Sequence, residues 1–330
     1  MKRHPSVWRH LLTLAVFLLA GGGVAAAQTS ITLTSQYGPG KPQTLLWERF
    51  VAELDAALPG AYAPTVVVGG ALGGEKEEAE AVRLGAITGA QSTAANLSTW
   101  VPLGAVLDMP FVFDGPEHIN RVLAGSLGER LRGLYRDAGF HVPAFIIFGA
   151  RHIIGPEPYS APGQLEDVRV RSLQSDLHIS LWRALDAQPT ALAITEAYSA
   201  LAGGVVKAMD MTMSGYEALR LYEVAPVLSE TAHIWAVGAV YFDAAFYDAL
   251  PADHQAAFDA AAVEAARHFN QIAAAEQEAA MARSEEKGAR RVAVDGEPWR
   301  AALAEFADAY AAQINDPFAR QALEEIEAAR

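Results

Sequence analysis

At 330 residues, with 52% hydrophobic and 19% charged, the chain is long enough for two domains with cores of their own and too apolar to be disordered. Its net charge of −14 would repel a polyanion, which excludes nucleic acid and an anionic membrane surface as partners. It has no cysteine, so disulfides, thiol nucleophiles and a lipid-modified cysteine are excluded too.

Lys2, Arg3 and Arg9 precede an apolar run at 11–20, and a glycine-rich stretch ends in Ala25-Ala26-Ala27. That order predicts a secretory signal over 1–27, cut before Gln28; the apolar run is short for a membrane span. No other stretch is long enough to cross a bilayer, so a mature protein free in the periplasm, without membrane insertion, is expected. Ile31, Leu33 and Ser35 alternate as a first strand, ended by a Gly-Pro turn. Leu45, Leu46, Phe50, Val51, Leu54 and Leu58 recur at helical spacing up to Pro59-Gly60. A second strand over 64–71 leads through a glycine turn into a helix that opens on Glu75, Glu77 and Glu78, where the helix dipole favours negative charge. Gly69, Gly70, Gly73 and Gly74 lack both the Lys-Ser or Lys-Thr of a phosphate loop and the spacing of a dinucleotide fingerprint, so a nucleotide site is rejected.

The apolar segment 101–118 is broken by Pro102, Pro110 and Pro116; residues 118–134 then read as a helix and 141–155 as a strand or strand pair. Short helices follow at 176–187 and 195–203, and strands at 203–213 and 233–243. A long alanine-rich helix over 253–286 would run about 50 Å. Phe258, Ala262, Ala265, Phe269, Ile272, Glu276 and Ala279 mark its apolar face. A strand at 290–294 and a helix at 299–314 close the chain. This alternation predicts an α/β protein with mainly parallel sheets, its long helix spanning two domains.

Candidate sites are few. His254 and His268 lie fourteen apart, no His-Glu-x-x-His occurs, and His118, His141, His152 and His178 have no acid or histidine at ligand spacing. Ser214-Gly215 lacks the first glycine of a nucleophile elbow, and Glu77-Glu78 and Glu285-Glu286 read as solvated helix faces. Around Val168, Val170 and Ser172 the chain alternates like a short strand, placing Arg169 and Arg171 on one face, with Arg151 after the apolar run before it. Two guanidiniums at the ends of neighbouring strands suit a carboxylate, since each offers planar paired donors. On spacing alone, surface charges paired with Glu166 and Asp167 fit Arg169 and Arg171 better.

The segments LGGEKEEAEAVRLG (72–85), VLDMPFVFDGPEH (106–118), LEDVRVRS (165–172), PTALAITEAYSALAGGVV (189–206) and HIWAVGAVYFDAAFYDALP (233–251) occur in an order and spacing that is specific. With the signal and the long helix, the chain resembles, over its whole mature length, the DctP-type solute receptors of tripartite ATP-independent periplasmic (TRAP) transporters. The resemblance implies a two-lobed α/β periplasmic binding protein, type II-like, with a ligand cleft between the lobes. One lobe would comprise 28–148 and about 237–270, the other 149–236 and about 271–330, sharing the helix 253–286. It further implies that Arg171 pairs with a ligand carboxylate; the family's Gly-Leu-x-x-Arg is here varied at Asp167 and Val168. Arg151 falls on a second basic pocket position, and Gln36, Tyr37, Ser92 and Thr93 on pocket-lining ones. Phe148 and Trp235 would supply apolar walls, although ordinary core packing is as good a reading for Trp235. Where the family has Asp-Gly-x-Glu-Asn, this chain has Lys207-Ala208-Met209-Asp210-Met211, so Met211, beside Asp210, replaces a carboxylate-holding asparagine. A less polar acid than a C4-dicarboxylate follows, and Lys207 reads as a surface lysine. The implied partners are an organic acid and the small and large membrane subunits of a sodium-coupled system, with no cofactor. A receptor serving a membrane sensor kinase and, less well supported, a periplasmic enzyme on the same scaffold are the other readings.

Overall fold

Two long strands carry the architecture. In the computed structural model, which describes residues 28–330, the predicted signal over 1–27 lies outside the described residues. The chain first lays down β1 (Thr29–Thr34), α1 (Pro42–Ala57), β2 (Tyr62–Val67), α2 (Glu75–Arg83), β3 (Gly89–Thr93) and α3 (Ala94–Leu97). A 3-10 turn (Pro102–Asp108), α4 (Pro116–Leu123) and α5 (Ser126–Asp137) lead to the first long strand, β4 (Phe140–Gly155). The second half holds β5 (Arg169–Ser172), α6 (Asp176–Ala184), β6 (Gln188–Ala191), α7 (Ala197–Ala202), β7 (Ala208–Thr212) and α8 (Met213–Ala218). The return strand β8 (Val227–Asp243), α9 (Ala244–Asp248), α10 (Ala252–Glu286), β9 (Arg290–Ala293), α11 (Glu297–Ala302), α12 (Phe306–Ala311) and α13 (Ala319–Ala328) complete it.

The strand order is β2-β1-β3-β8-β4-β7-β5-β6, with β9 added beside β8. β4 and β8 run antiparallel from Phe140↔Asp243 to Gly155↔Val227, crossing from one half of the molecule to the other as a two-stranded ribbon. The sheet is mixed where parallel pairing was expected. β1–β2, β1–β3, β5–β6, β5–β7 and β8–β9 are parallel, but every pair joining β4 or β8 to β3, to β7 or to each other is antiparallel. A ribbon that leaves one lobe and returns to it must run both ways, and that return imposes the antiparallel pairs.

Four apolar clusters form the cores. α1 starts at Pro42, whose fixed φ suits the first helical turn, and turns Leu46, Trp47, Phe50 and Leu54 inward against Phe242 and the first half of α10. Across the same sheet, α2, α3, α4 and α5 close a second cluster around Tyr135 and Tyr241. In the other half Met209, Tyr216 and Met281 centre one cluster, and Trp182 and Trp299 another. Burying a large apolar side chain contributes about 1.5–3 kcal/mol, so these clusters supply the main favourable term that opposes the chain entropy lost on folding.

α10 follows its predicted stripe from Phe258 to Phe269, then buries Ala273, Ala280, Met281 and Ser284, leaving Ile272 and Glu276 half-buried and Ala279 exposed. The drift falls where the helix passes from one lobe to the other and its partner changes. The helix expected over 118–134 is two, α4 and α5, broken at Gly125. The helix expected over 299–314 is also two: Trp299 and Leu303 enter the second lobe's core, whereas Ala311 enters the first lobe's. α13 packs there as well, through Ala319, Ala322 and Ile326.

Candidate functional site

Arg171 lies on β5, flanked by β6 and β7. Arg169 points to the same face but occupies the open end of the strand and is exposed, whereas Arg171 is 3% exposed. Its Nε donates to the Leu192 carbonyl at 2.9 Å, which fixes the plane of the fork. Among the described residues no carboxylate forms an ion pair with it. Burial pushes its pKa down to about 10, the like charge of Arg151 adding to the effect and Asp210, Glu75 and Tyr37 opposing it. The group stays cationic at neutral pH, with two nitrogens uncommitted.

Arg151 is placed differently. Its Nε and Nη2 reach Asp210 Oδ2 and Oδ1 at 2.6 and 2.8 Å, and Nη2 also donates to the Asp210 carbonyl at 2.9 Å. His233 Nε2 approaches the same carboxylate at 3.4 Å. Burial alone would lower the Arg151 pKa; the paired carboxylate more than reverses this, and Asp210, despite its own burial, is held well below the usual carboxylate range. β4 and β7 are neighbours, so this pair is internal to one lobe. Arg151 therefore reaches the cavity already neutralised, and Asp210 stands behind it as its partner.

The two guanidiniums share a cavity of about 30 Å³ with Tyr37 and Thr93 of the first lobe, Phe148 of the ribbon and Met211 of the second lobe. Phe148 and Arg151 are three apart yet face the same space because β4 carries an irregularity between Ile147 and Gly149, where Gly149 has φ +124°. Glu75, at the start of α2, lines the opposite wall together with Asn96. Its Oε2 accepts hydrogen bonds from Ser92 Oγ at 2.8 Å, Thr93 N and Oγ1 at 2.9 Å each, and Asn96 Nδ2 at 2.7 Å. Oε1 has no donor among the described residues. Glu75 and Asn96 were not among the expected site residues; Glu75 was read as a helix-opening acid after Gly73-Gly74, and that position is its local signal.

Ser92 and Gln36 stand outside the wall. Ser92 is buried beneath Glu75, and Gln36 Nε2 donates to the Gly73 carbonyl at 3.1 Å. Trp235, expected as an apolar wall, is on the other face of the ribbon, paired with Ala150. There it lines a groove of about 820 Å³ with Ile147, Phe145 and the α10 residues Val263 and Asn270. The groove's cations, Arg132 and Arg267, are half-buried and exposed, so no buried charge there awaits a partner.

Residues 34–313 match the family model described as bacterial extracellular solute-binding protein, family 7 (DctP). A solute-binding protein of Verminephrobacter eiseniae is 29% identical over 244 residues, covering 74% of this chain and 73% of its own. The 2,3-diketo-L-gulonate-binding periplasmic protein of Escherichia coli is 26% identical over 294 residues, 89% and 85% of the two chains. The crystal structure of a TRAP periplasmic solute binding protein from Roseobacter denitrificans with bound β-D-glucuronate superposes with a TM-score of 0.86 at 26% identity, covering 91% of this chain and 99% of that one.

Proposed function

The chain belongs to the bacterial extracellular solute-binding protein family 7, and from that premise we propose that it captures a hydroxylated organic acid between its lobes for uptake by a TRAP transporter. It works in the periplasm as a binding protein, not an enzyme. The observation that carries the ligand class is Arg171, a buried cation without a carboxylate partner among the described residues, facing a cavity whose far wall is Glu75. A ligand carboxylate supplies the missing charge to the two free guanidinium nitrogens. Glu75 Oε1 accepts from hydroxyls at the other end, while its charge repels a second carboxylate. Met211 adds apolar contact but no donor.

Relatives with both kinds of cargo occur: one is named for binding a diketogulonate and another was crystallised with a glucuronate, both sugar acids, while others are named as C4-dicarboxylate-binding proteins, so the choice between them rests on Glu75 and Met211. In our reading the lobes are 28–148 with 237–270, and 149–236 with 271–303, the tail beyond returning to the first lobe. Closure over the acid presents a surface to the small and large membrane subunits, which couple uptake to sodium.

A thermal-shift panel of uronates, aldonates and C4-dicarboxylates on the mature protein tests the proposal. A ligand at 100 times its Kd stabilises by about 2.7 kcal/mol. Sugar acids are expected to raise the melting temperature, and Arg171→Ala to abolish the effect. Stabilisation by dicarboxylates alone, or full binding by Arg171→Ala in calorimetry, overturns it.

A further inference from the structure

Both poles of the cavity are tied closely to a point where the lobes touch. Gly74 directly precedes Glu75, and Ala193 directly follows Leu192, whose carbonyl holds Arg171. A Cβ placed on Gly74 would lie 2.9 Å from the Ala193 Cβ and 3.8 Å from its Cα. Gly74 has φ −81° and ψ 176°, an extended conformation open to any residue, so the missing side chain matters for room and not for backbone freedom. The other atom in the way, Glu77 Oε2 at 2.6 Å, ends a flexible exposed side chain that can turn aside. Gly70 makes a second approach to the same segment, its added Cβ falling 2.6 Å from Thr195 Cγ2. The turn is also anchored to its own lobe. Gly69 N donates to the Tyr37 carbonyl at 3.0 Å, Gly70 N to Ser35 at 3.1 Å, and Gln36 Nε2 to Gly73 at 3.1 Å.

We infer that Gly74, resting on Ala193, is the stop that sets how far the lobes close, and with it the span between Glu75 and Arg171 that a ligand must bridge. The inference builds on the receptor reading above and names a residue that fixes ligand length without touching ligand. Carbon atoms prefer separations of about 3.5–4.0 Å, so a methyl at 74 holds the lobes roughly 0.5–1 Å further apart. Misplacement on that scale weakens charge-assisted hydrogen bonds at both poles together.

Three variants test it. Gly74→Ala should weaken D-glucuronate binding at least ten-fold in calorimetry. Adding Ala193→Gly should restore affinity to within about three-fold, because the new methyl then faces only the Cα 3.8 Å away. A loss caused by poorer helix capping would lower the melting temperature and would not be rescued by a change in the other lobe. The third variant needs no ligand. The natural chain has no cysteine, so Gly74→Cys with Ala193→Cys has one possible intramolecular disulfide; its Cβ atoms need about 3.5–4.5 Å against the 2.9 Å of the closed contact, so it is expected to form under mild oxidation with the lobes roughly 1 Å wider, read by mass and thiol count. Failure of that disulfide to form, wild-type affinity in Gly74→Ala, or absence of rescue overturns the stop. If the disulfide forms but D-glucuronate binds no variant and not the wild type, the stop stands and the sugar-acid reading falls.

Discussion

Replacing Arg171 with methionine separates ligand capture from lobe closure. In the closed arrangement the guanidinium is buried beside Arg151 and has no carboxylate of its own, so its pKa falls to about 10. A drop of that size from its ordinary value disfavours the charged form by about 3 kcal/mol. Methionine removes this penalty and keeps most of the packing. It also orphans the Leu192 carbonyl, which costs about 1 kcal/mol. The net favours closing without ligand by at most about 2 kcal/mol, an upper bound of roughly thirty-fold on the closed-to-open ratio, since part of the penalty arises within Arg171's own lobe. Dyes on Ala56→Cys in α1 and Ala202→Cys in α7, both exposed in the wild-type chain, report the lobe distance, and no native cysteine competes for label. The ligand-free Arg171→Met protein should sit closed and should ignore D-glucuronate. A variant as open as the wild type, or one that still responds to the acid, refutes the reasoning. Arg151→Met is the contrast: its partner Asp210 lies on the neighbouring strand of the same lobe, so the variant strands a buried carboxylate and should lose about 3–5 kcal/mol of folding stability.

Glu78 is buried, accepts from Thr34 Oγ1, and has its pKa raised to about 7 by burial, with hydrogen bonds from Thr34 and Gln36 opposing and Glu75 and Glu77 adding. A raised carboxyl favours the folded state below its unfolded pKa of about 4.5, and that stability is lost as pH rises through about 7. The loss is about 3 kcal/mol, and Glu78→Gln should flatten the profile over that window in pH-dependent denaturant melts; an unchanged slope contradicts the assignment. Lys41 Nζ lies 2.5 Å from Glu217 Oε2, which also faces Arg283 at 3.6 Å, while Lys287 faces Oε1 at 3.4 Å, so the pair ties the start of α1 to α8. Lys41→Ala should weaken ligand binding by about two- to five-fold at low salt, and the difference should vanish near 0.5 M salt, as expected for a pair worth about 0.5–1 kcal/mol. Glu75→Gln removes the acidic pole while keeping its shape. It should lower D-glucuronate affinity roughly ten-fold and raise that for succinate, both read by calorimetry; parallel losses for the two acids would mean that Glu75 serves structure alone.

What was legible in the sequence was what has a period or a motif. α10 was visible in its alanine-rich spacing, and Arg171 in a family segment, though spacing alone pointed to a surface ion pair. Glu75 was not visible, because the donors that fix it lie on or beside β3, 17 to 21 residues onward. β3 itself, Gly-Ala-Gln-Ser-Thr, has little of the branched and aromatic content by which strands are recognised, and it is buried at every position. The commitment of Arg151 to Asp210 was equally hidden, since the two meet across a ladder 59 residues apart in the chain. For Trp235 the resemblance left wall and core packing equally open, and it is the irregularities of the ribbon, which no sequence period shows, that decide which face each residue meets.

The four charges around the cavity divide the work between the lobes. Arg151 and Asp210 cancel within one lobe whatever the cleft does. Glu75 is solvated by four donors from its own lobe, so it tolerates closure and acts by choosing among ligands. Arg171 is the buried cation that no carboxylate neutralises among the described residues, so its burial and the like charge of Arg151 weigh against the closed arrangement until an anion arrives. A bound carboxylate turns that penalty into a favourable buried pair. Closure is then conditional on the charge of the cargo, while the glycine contact at Gly74 and the acidic wall at Glu75 decide its length and its polarity.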